Sequence, residues 1–332
     1  MPLPDLALPG SNRWSQGEQV ALHASWAAAG VVLAEAFLWR YFGYFFIKHV
    51  HLRRPTSFFT FFPLFFMTDV RKRFNVQISG QGQQYMLFAH GFGCDQNMWR
   101  FITPAFEKHF KLVLFDYLGH GQSDSTAYTP ERYSNLQGYA EDVLEICRAL
   151  NIRKAIFVGH SVSAMIGALA AIKQPEVFEK LIMVGPSPCY INQGEYVGGF
   201  SRADIDSLID SLESNYLGWS SVMAPVIMGR PDQPALGEEL TNSFCRTNPE
   251  IARQFAQVTF FSDNREDLLK LTLPTLVLQC SEDVIAPLEV GAYVAEKVAN
   301  STLVVLETAG HCPHLSAPEE TIAAIQPFLH LN

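Results

Sequence analysis

Three polar residues far apart in the chain have the types and the order needed for nucleophilic catalysis. Ser161 lies in Gly159-His-Ser-Val-Ser163, a near match to G-x-S-x-G, the turn that exposes a nucleophilic serine between a strand and a helix. Asp283 and His311 follow, in the chain order serine, acid, histidine that accompanies this turn. A serine hydroxyl is a weak nucleophile, and it needs a base that a third group orients. We therefore predict that Ser161, Asp283 and His311 form a catalytic triad.

Each member of this set has an alternative interpretation. Ser163 replaces the usual second glycine, and strings of this kind also arise by chance. Glu282 is a charged neighbour of Asp283, and His314 competes with His311. Two further carboxylates precede the serine: Asp116 and Asp124. The ordered combination is less expected by chance than any one of its members.

Short apolar segments must position these residues. The predicted strands are 74–78, 85–89, 112–116, 155–158, 181–184, 275–279 and 303–306, with a helix predicted over 136–150. Alternation of strands with helical or loop segments is typical of a mostly parallel sheet covered on both faces. Ser161, Asp283 and His311 each come just after a strand, so such a sheet brings them to one edge.

Residues 186–262 interrupt this alternation. They predict four helices without strands between them: 203–213, 219–228, 237–244 and 249–260. We interpret them as a lid over the carboxyl edge of the sheet, where such sheets bind ligands. The alternative is a helical subdomain that only stabilises the fold. The core domain is then predicted to comprise 67–185 and 263–332.

Stabilisation of an oxyanion requires two backbone N–H donors in this architecture. One is the residue after the nucleophile, Val162, and the other lies in a loop after an early strand. His90-Gly-Phe-Gly93 is that loop, which makes Phe92 the second predicted donor.

Residues 1–66 differ in composition from the rest of the chain. Residues 20–47 are apolar and aromatic, and basic residues follow them. A membrane-associated segment is one interpretation, although Glu35 and Arg40 are costly near a bilayer centre. A natural start at Met67 and a packed extension are the others. The segment does not have the clear charged start and cleavage site of a signal peptide.

Charge and cysteine usage exclude some function classes. The 332-residue chain has 33 acidic and 24 basic residues and a net charge of −9, which disfavours nucleic acid as a partner. Six cysteines without a C-x-x-C pair predict free thiols in a reducing compartment, and hence a cytoplasmic protein.

No cofactor or metal is predicted. Gly119-His-Gly121 lacks the spacing of a phosphate-binding loop. His311 and His314 are expected to be poor zinc ligands, because Pro313 lies between them and no third ligand is expected nearby.

Several longer motifs resemble one family. They include His90-Gly-Phe-Gly-Cys-Asp-Gln-Asn-Met-Trp99, Val158-Gly-His-Ser-Val-Ser-Ala-Met-Ile-Gly167 and Gly310-His-Cys-Pro-His-Leu315. From about residue 75 onward the chain resembles the α/β-hydrolases related to the bacterial stress-response regulator RsbQ and to the plant karrikin and strigolactone receptors. The resemblance implies an α/β-hydrolase fold with a four-helix lid, the same triad and the same oxyanion donors. It also implies a hydrophobic pocket lined by Phe92, Tyr190, Phe200, Trp219, Phe260 and Ile285.

Two functions are compatible with these features. The first is a cofactor-free serine hydrolase of the carboxylic ester class, acting on a small hydrophobic ester, lactone or butenolide-like compound. The second is a ligand-sensing protein that hydrolyses slowly and activates a regulatory partner. A haloperoxidase or a carbon–carbon bond hydrolase would share the triad, whereas dehalogenases and epoxide hydrolases of this fold use aspartate as the nucleophile.

Overall fold

A seven-stranded sheet lies at the centre of residues 70–331, which are the residues that the computed structural model describes. The strands are β1 (Gln77–Ser79), β2 (Tyr85–Ala89), β3 (Lys111–Leu114), β4 (Ala155–His160), β5 (Phe178–Val184), β6 (Thr275–Glu282) and β7 (Ser301–Ala309). Their order across the sheet is β1-β3-β2-β4-β5-β6-β7. Only β1 runs antiparallel to its neighbour, so the predicted mostly parallel sheet is confirmed.

Helices cover both faces of this sheet. They are α1 (Leu136–Ala149), α2 (Val162–Lys173), α3 (Arg202–Ser214), α4 (Tyr216–Met228), α5 (Pro234–Arg246), α6 (Pro249–Phe260), α7 (Arg265–Leu268), α8 (Leu288–Lys297), α9 (Pro313–Ser316) and α10 (Pro318–Phe328). Successive side chains of a strand point to opposite faces. In β4, Phe157 accordingly packs in one buried cluster with α1, α2 and α8, while Ile156 and Val158 pack in a second cluster with α10.

The first predicted strand, 74–78, begins three residues too early and ends one residue too soon. Phe74 and Asn75 form a turn, and β1 begins only at Gln77. Asn75 has φ of 46°, a left-handed conformation that asparagine tolerates but that interrupts an extended strand. The third predicted strand also ends too late, since β3 stops at Leu114. β4 to β7 extend beyond their predicted bounds because the hydrogen-bond ladder continues past the apolar residues.

Four helices, α3 to α6, follow β5 close to the predicted positions. α4 begins earlier than predicted because the Asn215 side chain accepts a hydrogen bond from Gly218 N at 3.0 Å. α5 begins at Pro234, since the missing N–H of proline has no partner in a first turn anyway. Buried residues of α3, α4 and α5 join the second cluster, whereas α6 contributes Phe255 to the first cluster and Phe260 to the second. That residues 186–262 act as a lid, and that 67–185 and 263–332 form the core domain, stays a prediction.

Residues 1–66 lie outside the described residues, so the three interpretations of that segment stay predictions. Between residues 70 and 331, no helix has the length and apolar character needed to cross a bilayer.

Candidate active site

Ser161 lies at the junction between β4 and α2 in a strained conformation. Its φ and ψ are 56° and −125°, outside the helical and strand regions. The turn also requires a small residue before it, because a Cβ added at Gly159 would lie 2.4 Å from Ser163 O. The sequence pattern and the strained backbone together fit a nucleophile turn.

His311 and Asp283 complete a hydrogen-bonded chain with Ser161. Ser161 Oγ lies 2.8 Å from His311 Nε2, and His311 Nδ1 lies 2.7 Å from Asp283 Oδ2. All three residues are buried. The other oxygen of Asp283 accepts hydrogen bonds from Ile285 N at 2.8 Å and Ala286 N at 3.1 Å, which fixes the carboxylate. The three predicted residues are therefore brought together in the predicted order.

This geometry sets the proton positions. A carboxylate only accepts, so His311 Nδ1–H donates to Asp283. Nε2 of the neutral ring is then an acceptor for the Ser161 hydroxyl proton. The arrangement can remove a proton from Ser161 and stabilise the imidazolium that results.

Two contacts from outside the triad hold the backbone of His311. Ile227 O, near the end of α4, accepts a hydrogen bond from His311 N at 2.8 Å. His160 Nε2 lies 2.8 Å from His311 O, and it must be the donor because a carbonyl oxygen only accepts. Gly310 has φ of 93°, and a Cβ there would lie 1.9 Å from Met228 O. The sequence alone did not indicate these supporting contacts.

The departure of Ser163 from the usual glycine has a structural explanation. Its hydroxyl donates to His90 O at 2.5 Å and lies 3.0 Å from the hydroxyl of Tyr117. These contacts join the start of α2 to the loop after β2, which contains Phe92. The serine therefore replaces glycine without leaving a buried hydroxyl unpaired.

The N–H groups of Phe92 and Val162 are both free of acceptors from residues 70–331. Val162 is the first residue of α2, where a helix leaves its N–H groups without a partner inside the helix. The loop of Phe92 is also close to the serine, since a Cβ added at Gly91 would lie 3.2 Å from Ser161 Cβ. Both groups are thus available to a ligand.

A cavity adjoins Ser161 and His311 beneath the four helices. Five of the six predicted lining residues are there: Phe92, Tyr190, Trp219, Phe260 and Ile285. Phe200 is not among the lining residues, so that prediction is wrong. Its backbone pairs with Ile191 and its N–H donates to Tyr190 O, which keeps it in the loop after β5.

The sequence prediction also missed part of the cavity wall. The additional lining residues are Cys94, His160, Leu208, Met223, Ile227, Leu240, Phe244, Thr259 and Cys312. A helical spacing could have identified several of them. Met223 and Ile227 follow Trp219 at intervals of four on α4, and Phe244 follows Leu240 at the same interval on α5.

Aromatic rings close this cavity tightly. The Phe92 ring centroid lies 5.6 Å from that of Phe244 and 6.2 Å from those of Trp219 and Phe260. The volume of the cavity is only about 30 Å³. An organic ligand larger than a few atoms therefore requires the walls to move apart.

His314 does not compete with His311 for the triad. Its ring lies against Trp99 and His160, and both of its nitrogens are buried without a partner from the described chain. Burial, with a smaller contribution from His311, lowers the pKa of His314 to about 3. Burial likewise holds the pKa of His160 well below its ordinary value. Both rings are therefore neutral near pH 7.

Cys312 joins these two histidines, with one possible ligand atom from each residue within 4.8 Å of the others. The expectation that no third ligand lies near His314 is thus wrong. The His160 nitrogen nearest to Cys312 already donates to His311 O, however, so metal binding there would break a contact of the triad histidine. Burial also raises the pKa of the Cys312 thiol well above its ordinary value.

The competing carboxylates have other partners. Asp116 accepts hydrogen bonds from Asn75 Nδ2, Gln96 N and Gln122 N, which join three loops. Asp124 caps a short turn through Thr126, and these hydrogen bonds lower its pKa. Neither contacts His311.

Comparisons with known proteins agree with this geometry. A family model described as the alpha/beta hydrolase family matches residues 86–324. The chain is 37% identical to a karrikin insensitive 2 receptor from Petunia hybrida, over 80% of this chain and 98% of the relative. It is also 37% identical to a strigolactone esterase from Pisum sativum, over 76% of this chain and 94% of the relative. The solved structure of a hydrolase from Oleispira antarctica is 43% identical, with a TM-score of 0.78, over 80% of this chain and 98% of that one. The predicted resemblance to the karrikin and strigolactone receptors is confirmed, and the chain belongs to the α/β-hydrolase family.

Proposed function

We propose that this protein is a serine hydrolase that cleaves a small hydrophobic ester, lactone or butenolide-like compound. One observation carries the proposal: the continuous hydrogen-bonded chain from Ser161 through His311 to Asp283 at the floor of an apolar cavity. Relatives that are named strigolactone esterases support a carbonyl substrate of this kind.

The first half of the reaction acylates the serine. Ser161 Oγ attacks the carbonyl carbon while its proton passes to His311 Nε2. Asp283 holds the ring through Nδ1 and stabilises its positive charge. When the tetrahedral intermediate collapses, the ester C–O bond breaks and His311 gives its proton to the departing oxygen.

Water completes the second half. His311 takes a proton from water, the hydroxide attacks the acyl carbon, and Ser161 Oγ leaves with the proton that His311 returns. The N–H groups of Phe92 and Val162 hold the oxyanion in both halves, and each such donor is worth roughly 2.7–4 kcal/mol in the transition state. No cofactor takes part in this sequence.

The cavity determines which substrates enter. Phe92, Tyr190, Trp219, Phe260 and Ile285 form the apolar walls around the acyl or alcohol group. Residues 186–262 act as a lid, and α3 to α6 must shift for most ligands because the present cavity is narrow. Binding is therefore coupled to a movement of the helices.

Turnover of p-nitrophenyl acetate and p-nitrophenyl butyrate tests the assignment. We expect Ser161→Ala to lower kcat by roughly 10⁴-fold or more, because it removes the attacking oxygen. Ser221→Ala, at an exposed serine of α4, is the matched control and should retain the wild-type rate. Wild-type activity in Ser161→Ala would exclude this mechanism.

A ligand sensor is the second candidate, and the outer surface of α4 favours it. Val222 and Val226 lie one turn apart there and are 67% and 47% exposed. A contiguous exposed apolar patch marks a protein-binding surface, and these two valines would form the centre of such a patch. Relatives named as receptors support such a role, in which slow hydrolysis would control binding of a regulatory protein.

Mass spectrometry of the intact protein separates the two candidates. After exposure to esters and butenolides, a sensor should hold a long-lived adduct on Ser161 or His311 with few turnovers. An ordinary enzyme should release product over many turnovers without such an adduct. Rapid multiple turnover without an adduct would exclude the sensor.

The six free cysteines, one of them exposed, favour a reducing compartment. We infer a cytoplasmic location on that basis. Cell fractionation checks it, and recovery of the protein in a secreted or membrane fraction would contradict it.

A further inference from the structure

Thr259 is a polar residue in the otherwise apolar part of the cavity wall that α3 to α6 form. It lies near the end of α6, lines the cavity and is 1% exposed. Its hydroxyl has no hydrogen-bond partner among residues 70–331, and no other serine or threonine hydroxyl of that range is both inaccessible to solvent and unpartnered. A buried hydroxyl without a partner is unfavourable, so its presence calls for an explanation.

Other buried hydroxyls in helices show what Thr259 does not do. Ser220 Oγ donates to Tyr216 O at 2.7 Å, and Thr321 Oγ1 donates to Ala317 O at 2.9 Å. Both use the carbonyl four residues earlier, the usual partner of a helical hydroxyl. Thr259 makes no such bond with Phe255 O. Its hydroxyl is therefore left free for another acceptor.

The other cavity residues offer few acceptors. The walls from α3, α4 and α5 are aliphatic or aromatic, and they comprise Leu208, Trp219, Met223, Ile227, Leu240 and Phe244. Tyr190 has only a long contact of 3.5 Å between its hydroxyl and Ser161 Oγ. A ligand oxygen is thus the acceptor that would satisfy Thr259.

We propose that Thr259 is a specificity-determining residue, whose hydroxyl donates a hydrogen bond to a second oxygen of the substrate, distinct from the scissile carbonyl oxygen. The ligand class is a compact neutral ester or lactone that carries an additional ether or carbonyl oxygen. This inference rests on the proposed hydrolase function, and it adds the side chain that distinguishes an oxygenated substrate from a hydrocarbon one of the same shape.

Pairs of esters that differ by one oxygen test this role. On the acyl side the pair is p-nitrophenyl pentanoate and p-nitrophenyl methoxypropanoate, and on the alcohol side it is butyl acetate and methoxyethyl acetate. In each pair an oxygen replaces one methylene. Comparison of variant with wild type cancels the intrinsic reactivity of each ester.

Thr259→Val should lower kcat/KM for the oxygenated member by about three- to tenfold relative to its hydrocarbon partner, on the side of the scissile bond that faces Thr259. Thr259→Ser keeps a hydroxyl and should retain the wild-type preference. Unchanged preferences in both pairs would overturn the proposal. Should Thr259→Val fail to fold, Thr259→Ala against Thr259→Ser gives the same comparison.

Thermal unfolding without ligand provides an independent readout. Thr259→Val removes an unpaired hydroxyl and should raise the Tm by about 2–4 °C, whereas Thr321→Val removes a bonded one and should lower it. A fall in Tm for both variants would show that the Thr259 hydroxyl already has a partner, and would overturn the proposal.

Ser161→Ala separates this inference from the function on which it rests. Loss of turnover of all four esters in Ser161→Ala, together with unchanged preferences in Thr259→Val, would refute the role of Thr259 alone. Persistent turnover in Ser161→Ala would refute the hydrolase mechanism itself.

Discussion

The loops of the sheet and the four helices above them build the two sides of the site by different means. On the sheet side, backbone contacts fix each group: Asp283 accepts from two N–H groups, and His311 is held at both its N–H and its carbonyl. On the helical side, apolar packing between rings such as Trp219 and Phe244 forms the wall. Chemistry requires fixed distances, whereas ligand entry requires walls that can separate.

Among the hydrogen bonds that join the two sides, one reaches the triad histidine. Ile227, which lines the cavity from α4, accepts from His311 N. A shift of α4 would therefore alter the position of the triad histidine. This contact gives a physical route by which ligand binding under the helices could change the reactivity of Ser161.

The largest effect is expected on the sheet side. Asp283→Asn should lower kcat by roughly 10³–10⁴-fold, because an amide neither fixes the His311 tautomer nor stabilises the imidazolium. Ester turnover measures this loss. Glu282→Gln changes the exposed neighbouring carboxylate and is the matched control. An equal loss in both variants would contradict the assignment of Asp283.

Disturbing the contact between the end of α4 and the loop of His311 should affect stability and activity together. Gly310→Ala places a Cβ 1.9 Å from Met228 O at a φ of 93°, so we expect the free energy of unfolding to fall by about 2–4 kcal/mol. Urea unfolding and ester turnover are the measurements. Gly194→Ala is the control, since its φ is 61° but nothing lies within 4 Å of the added Cβ. Equal changes in unfolding free energy and in ester turnover for the two variants would show that the close approach of Gly310 to Met228 is unimportant.

On the helical side, substitutions should change binding more than chemistry. Trp219→Ala removes part of the wall and should raise KM by about tenfold, with a smaller change in kcat. Steady-state kinetics with p-nitrophenyl butyrate measures both constants. Val222→Ala, on the exposed surface of the same helix, should leave both unchanged. A loss confined to kcat would show that the wall also positions the reacting groups.

The smallest expected effect concerns the contribution of His314 to the loss of folding stability at acid pH. The folded pKa of His314 is about 3 and the unfolded value is about 6.5. Below pH 6.5 the unfolded chain gains a proton that the folded chain does not, so stability falls with falling pH down to about pH 3. His314→Phe should reduce this fall by about 1.4 kcal/mol per pH unit well below pH 6.5.

Urea unfolding at pH 7.5 and at pH 5 compares His314→Phe with the wild type. His330→Phe, at the exposed end of the chain beyond α10, is the control and should leave the pH dependence unchanged. An unaltered slope in His314→Phe would mean that His314 takes up a proton in the folded protein.

Local patterns were sufficient for most of the sheet and for the order of the triad. Apolar segments bounded by polar loops predicted β2 in full and the positions of β4 to β7. The pattern failed at residues 74–76, because periodicity carries no information about the left-handed turn at Asn75. It also failed for Phe200, whose aromatic character suits a cavity wall but which is absent from the lining residues.

The sequence by itself determined that a serine, an acid and a histidine each follow a strand of a parallel sheet. That information is local, because residue type and apolar spacing set where strands end. Only the tertiary structure decided which histidine joins the serine, that α4 holds its backbone, and that Thr259 faces the cavity without a partner. These features depend on distances between segments far apart in the chain and on side-chain rotamers, which packing selects.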